Sequence, residues 1–115
     1  MKERKEATII LIEKIDDCYN DFTRCDIKKG YEKLKDYISD INKIFMEFIA
    51  IIPKLKELGV DIPSDVLIQQ LKNLLEAYEY RDSMLLADTL RYEIIDTLSL
   101  YVEIMEELDK ENISL

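Results

Sequence analysis

Eight apolar residues, Ile27, Tyr31, Leu34, Ile38, Ile41, Phe45, Phe48 and Ile52, follow one another at steps of four and three over seven intervals. Such a series falls on one stripe of an α-helix and would scatter over both faces of a strand. Its far end lies inside a denser run, Ile44 to Ile52, whose nine residues include a single polar one, Glu47. A helix that is apolar all round needs cover on several sides. The segment is therefore either the central helix of the fold or a surface that a second chain buries, and the choice between these decides whether this is an interaction protein.

The rest of the chain repeats the helical pattern. Leu11, Ile15, Cys18, Phe22 and Cys25 form an earlier seam, widened by Ile9, Ile10, Ile12 and Tyr19. The long series is two residues out of phase with it, so a break is expected near Thr23 to Asp26, with the Asp26 carboxylate capping the second helix. Gly30, one turn inside that helix, costs about 1 kcal/mol relative to Ala. Its presence predicts either a later start to the helix or close approach by a neighbouring one, and close approach is the preferred reading. Pro53 removes a backbone hydrogen bond and predicts a kink, yet Leu55 and Leu58 carry the spacing on to Gly59, which suits the position after a C-cap. The loop from Gly59 leads to Pro63 or Ser64, either of which can open a third helix carrying Leu67, Leu71, Leu74 and Tyr78, with Leu75 and Ala77 alongside. Its pattern is lost at Tyr80-Arg81-Asp82. Asp82 or Ser83 then caps a fourth helix with the seam Leu86, Leu90, Ile94, Leu98 or Thr97, Tyr101, Met105 and Leu108, and the tail from Asp109 to Leu115 is expected to fray.

These segments predict an all-α protein: an antiparallel four-helix bundle with helices at about 3–24, 27–58, 64–80 and 83–109, the second kinked near Pro53, forming a single domain over residues 1–115. With only two Gly and two Pro in 115 residues, the chain has few turn residues to punctuate a set of strands. The expected helix lengths are unequal. At 1.5 Å per residue the second approaches about 45 Å and the third about 25 Å, so part of the second should project from the core or pack on another chain.

Charge narrows the classes of partner. Residues 1–58 hold 12 Lys+Arg against 12 Asp+Glu, and residues 59–115 hold 4 against 13, so the whole net charge of −9 belongs to the second half. An acidic surface repels phosphate backbones and anionic lipid, so neither nucleic acid nor membrane is expected as a partner. The charged beginning of the chain has no apolar stretch after it long enough for a signal peptide or membrane span, and a cytoplasmic location is expected. Cys18 and Cys25, seven residues apart on one helical pattern, would be separated by about 10.5 Å along the axis. That is too far for a disulfide, and both read as small buried hydrophobes in a reducing compartment.

No chemistry stands out. The chain has no His, which removes the usual di-iron constellation of helical bundles and the commonest general base. The acidic pairs lie off the predicted seams, no EF-hand spacing occurs, and the two glycines are 29 positions apart, so there is no phosphate-cradling loop. No catalytic residue, metal site or cofactor is assigned. Two groups of residues are singled out. Ile44, Met46, Ile49 and Ile51 are the surplus apolar residues of the dense run and form a candidate interface. Arg81, Asp88, Arg91 and Tyr92 form a candidate polar cluster, because Arg91 and Tyr92 lie one turn beyond Asp88 and Arg81 could fold back to it.

The run Arg81-Asp82-Ser83-Met84-Leu85-Leu86-Ala87-Asp88-Thr89-Leu90-Arg91-Tyr92-Glu93 resembles a pattern in short, largely uncharacterised helical proteins of low-GC Gram-positive bacteria. The likeness covers mainly residues 76–96 and brings no activity or site with it. In size, helicity and acidity the chain is also similar to flagellar export chaperones, a likeness that implies a bundle holding the helical terminus of a client. The expected function is therefore a non-enzymatic protein–protein interaction module that self-associates through its apolar second helix. The alternative is an export-chaperone-like or adaptor bundle with a helical client, and an enzyme built on carboxylates or thiols ranks third.

Overall fold

The computed structural model describes residues 2–114. Helix α1 spans Lys2–Thr23, α2 Ile27–Glu57 and α3 Ser64–Glu79. Helix α4 runs as Ser83–Thr89, passes through a π turn at Leu90–Ile94, and continues as Ile95–Lys110. The four helices form an antiparallel bundle in which α1 and α3 each pack against both α2 and α4, so that α2 and α4 stand at opposite corners. Its extents are 44 × 25 × 19 Å, and α2 accounts for the long dimension, since its 31 residues rise about 46 Å.

Most residues of the four predicted seams form the core. Leu11, Ile15, Cys18 and Phe22 of α1 meet Leu34, Ile41, Phe45, Phe48 and Ile52 of α2, Leu67, Leu71 and Leu74 of α3, and Leu86, Leu90, Ile94, Leu98, Tyr101, Met105 and Leu108 of α4. Phe48 and Tyr101 stack across the bundle axis, their ring centroids 4.6 Å apart and their planes 20° apart. The dense run of α2 is thus mostly central: Ile44, Phe45, Phe48 and Ile52 are all buried. Helix α2 continues past Pro53 for another turn, anchored by Ile52 and Leu55, which are buried on either side of it.

Each helix ends in the same backbone motif. The residue after the C-cap takes positive φ (Cys25 62°, Gly59 88°, Arg81 54°, Asn112 55°), and the next N–H reaches back to the carbonyl five residues earlier. These bonds run from Asp26 N to Asp21 O, Val60 N to Leu55 O, Asp82 N to Ala77 O and Ile113 N to Leu108 O, at 2.8–3.1 Å. They satisfy carbonyls that helix termination leaves free. In both α1/α2 and α3/α4 the residue that completes this motif is also the N-cap of the next helix, Asp26 and Asp82, which makes the two hairpin turns equivalent.

Several expectations need correction here. Asp26 occupies the N-cap position, but its side chain caps nothing, and only its carbonyl accepts the Gly30 N–H at 3.0 Å. Asp82 does cap α4, accepting the Leu85 N–H at 3.1 Å. Cys25 is not on the α1 seam: it lies past the helix end, in the left-handed turn, and is exposed. The tail does not fray directly after α4, because the Ile113 side chain packs against the core and its N–H closes the terminal turn. Leu115 lies outside the described residues.

Gly30 is a point of close approach between α1 and α2. A Cβ built there would lie 2.9 Å from Cζ of Phe22 in α1, and the Cys18 thiol donates to the Gly30 carbonyl at 3.2 Å. The glycine thus removes a side chain where the α1/α2 hairpin is tightest.

Candidate functional site

The four candidate interface residues do not share one face of α2. Residues seven apart return to the same side of a helix after two turns, so Ile44 and Ile51 point together, toward the core. Ile44 is buried and Ile51 half-buried. Met46 and Ile49 lie on roughly the opposite side; Met46 is 51% exposed and Ile49 half-buried. The usable part of the predicted interface is therefore Met46 and Ile49.

That side of α2 flanks a groove of about 470 Å³ between α2 and α3, lined by Ile38, Ser39, Asn42, Leu71, Leu75 and Tyr78 among others. Tyr78 packs on Tyr31, with ring centroids 5.9 Å apart, and Leu71 lies beside the turn of Asn42. Continuing from these two points at about 1.5 Å per residue brings Ser64 level with α2 between the turns of Phe45 and Ile49. Beyond that point α2 has only the Gly59–Pro63 connection on this side. Ile68 and Leu75 of α3, both exposed, extend the apolar lining outward.

The candidate polar cluster does not assemble. Arg81, held in the left-handed turn, stacks its guanidinium over Tyr31 at 4.4 Å and Tyr78 at 5.0 Å from the ring centroids. Arg91 turns toward α1 and pairs with Asp16 at 3.5 Å. Asp88 and Tyr92 are exposed, and Asp88 borders a smaller groove with Tyr19, Cys25 and Met84. The reason is rotational. Arg91 and Tyr92 are adjacent residues of one helix and so leave it in different directions, Arg91 toward Asp16 and Tyr92 into solvent.

Two polar arrangements escaped the sequence reading. Glu47, the one polar residue of the dense run, is half-buried and pairs with Arg4 at 3.5 Å; Arg4 in turn donates to the hydroxyl of Tyr101 at 3.5 Å. Burial pushes the Tyr101 phenol up, so the hydroxyl keeps its proton and Arg4 serves it as a donor. A lone acid in an apolar run was the available signal, but its partner lies 43 residues away in sequence. The second arrangement is Lys33, which reaches Asp17 at 2.6 Å and Asp21 at 2.7 Å across the α1/α2 seam. The hydrogen bonds to Asp17 and Asp21 hold the Lys33 ammonium well above its usual range, and the bond from Lys33 holds the Asp17 carboxyl below its own. Beside them burial pushes the Cys18 thiol up to about 12, which makes it a weak thiol donor to Gly30 and not a thiolate nucleophile.

The π turn also has a sequence signal. The α4 seam steps 86, 90, 94, 98, three fours in succession, whereas an α-helix alternates fours and threes to hold one face. One extra residue in the turn at Leu90–Ile94 absorbs the drift. Around it α3 and α4 are joined by polar contacts: Asn73 donates to Glu93 at 2.9 Å, and the Thr97 hydroxyl to Gln70 at 2.5 Å.

Among the described residues, no three His, Cys, Asp or Glu side chains gather where they could hold a metal ion. No helix among them is long and apolar enough to cross a membrane. The fold and these open grooves define an all-α four-helix bundle whose surface features lie between and along its helices. Residues 1–111 match the family described as a domain of unknown function (DUF8042), and the chain belongs to that family. No curated protein and no solved structure matches it.

Proposed function

We propose that this protein acts by protein association and not by catalysis, and that a second copy of the chain packs on its α2/α3 side. The observation that carries this reading is the open apolar groove between α2 and α3, lined by Ile38, Leu71, Leu74, Leu75 and Tyr78. Leu75 lines it, and Met46, the half-buried Ile49 and Ile68 lie one or two turns further along the same sides of the two helices. A symmetric dimer about that depression would set like surface on like, the commonest closed arrangement of soluble oligomers. A standard interface takes about 800 Å² from each partner, roughly a ninth of the 7031 Å² accessible here. The charge distribution agrees with this choice of surface, since α2 and α3 together hold eight basic against eight acidic residues and two copies can meet there with little repulsion.

Size-exclusion chromatography with light scattering tests the reading. The expected mass at micromolar concentration is twice 13.6 kDa, reduced to one copy by Met46→Gln combined with Leu75→Gln. A mass of one copy for the unaltered protein across the micromolar range overturns it. Capture of a helical client by a monomer, in place of self-association, would move the function to the adaptor reading.

A further inference from the structure

The outward face of α4 carries Met84, Asp88, Tyr92, Asp96 and Leu100, five residues at uniform steps of four in which apolar and acidic side chains alternate. All five are exposed, Met84 to 80% and Tyr92 to 66%. In an unbroken α-helix four such steps would wind the series around the axis by about 160°. The π turn at Leu90–Ile94 removes much of that drift, so the turn that keeps the core seam straight also keeps this outer series on one side. Met84 and Tyr92 are unusual as surface residues. Each is large and exposed, and among the described residues Tyr92 makes no ring–ring or cation–π contact.

The charge around the series has one sign. From Asp82 to Asp109 the chain holds eight acidic residues and one basic residue, Arg91. Arg91 is turned off the series toward Asp16 of α1. A flexible methionine and a tyrosine are the side chains that adapt to apolar ridges of differing shape. Acids spaced between them would pair with cations in the same register on an occupant. From the alternation and the charge together we infer that this face of α4 binds a cationic amphipathic helix of a partner protein, with its apolar residues on Met84, Tyr92 and Leu100 and its Lys or Arg side chains against Asp88 and Asp96. The stretch covered is about 24 Å long, which calls for a partner helix of about 16 residues. Helix α4 stands at the corner opposite α2, so the inference deepens the association reading without depending on the α2/α3 dimer.

The test uses the full chain and a fluorescent 18-residue peptide of Leu and Lys at helical spacing, with a twin in which Glu replaces Lys, followed by anisotropy at low and physiological salt. The expected result is binding of the Lys peptide and none of the Glu twin. Met84→Ala with Tyr92→Ala, which leaves the charge unchanged, should weaken binding by tenfold or more, and Asp88→Asn with Asp96→Asn should weaken it and flatten its salt dependence. Met46→Gln with Leu75→Gln, which separates the proposed dimer, should leave peptide binding unchanged. Full binding by the Met84/Tyr92 variant would reduce the effect to general attraction between opposite charges and overturn the inference. Loss of binding in the Met46/Leu75 variant would place the helix in the α2/α3 groove instead. A change in light-scattering mass on altering Met84 and Tyr92 would make the occupant of this face a second copy, and would likewise overturn it.

Discussion

At the scale of single residues, the tightest constraint is Gly30. Helix propensity alone favours Ala there by about 1 kcal/mol. Against this, a Cβ would stand 2.9–3.1 Å from three ring atoms of Phe22, a ring that is buried and held edge-on against Tyr31 at 5.1 Å. Overpacking should win. Gly30→Ala is expected to destabilise by about 1–3 kcal/mol in urea unfolding, and the cost should vanish or reverse in a Phe22→Leu background, where the ring is gone. Lys33 offers a second case, read through pH. The Asp17 carboxyl is held low, so its contribution to stability is present above about pH 4 and is lost as pH falls through the folded value; Lys33 is held high, so its contribution is present below about pH 10 and is lost as pH rises through the folded value. Lys33→Met should therefore lower the urea midpoint near pH 7, with the gap from the unaltered protein narrowing toward pH 2.5 and toward strongly alkaline pH. A gap that stays constant across that range would show that Lys33 contributes through packing of its stem alone.

At the scale of elements, α4 makes the sharpest prediction. Its seam contains one residue more than an α-helix needs, taken up at Leu90–Ile94. Deleting Arg91, which is exposed, would turn the spacing of Leu86, Leu90, Ile94, Leu98, Tyr101, Met105 and Leu108 into alternating fours and threes, the pattern of an uninterrupted helix. The deletion should leave a folded, cooperatively melting bundle. Deleting Glu13 from α1, where no extra residue exists, sets Leu11 out of phase with Ile15, Cys18 and Phe22 and should abolish the cooperative transition. If both deletions were equally disruptive, the π turn would not be the slack in the helix that its spacing indicates. The helix ends follow a related logic. One backbone motif closes all four helices, yet only one of them uses Gly for it, so the motif was legible at Gly59 and hidden at Cys25, Arg81 and Asn112. At Arg81 the side chain then finds a place over Tyr31 and Tyr78, which keeps it away from Asp88.

At the scale of the whole molecule, the unequal helix lengths matter most. A 16-residue α3 facing a 31-residue α2 leaves one side of the bundle incompletely clad, and the connection from Gly59 to Pro63, with Ile62 packed on the core, covers only part of it. The mass measured by light scattering belongs to this scale, because no single residue of α2 or α3 decides it. The −9 charge is likewise a property of the whole. Its largest share sits on α4, which holds seven acidic against two basic residues and stands opposite the α2 corner, and so separates a neutral α2/α3 side suited to self-association from an acidic side suited to a cationic partner.

The apolar periodicity of the sequence determined by itself the number of helices, their approximate ends, the core residues and the close approach at Gly30, because burial of a stripe and the cost of an interior glycine act locally on the chain. Only the tertiary structure decided which side each surplus residue serves. Ile44 is buried in the core, Met46 is exposed and Ile49 half-buried on the other side of α2, and Arg81, Arg91 and Asp88 go three separate ways. Glu47 finds Arg4 and Tyr101 from distant parts of the chain. The physical reason is that a helix presents every direction around its axis with equal ease, and which of these directions are buried depends on where the other three helices stand.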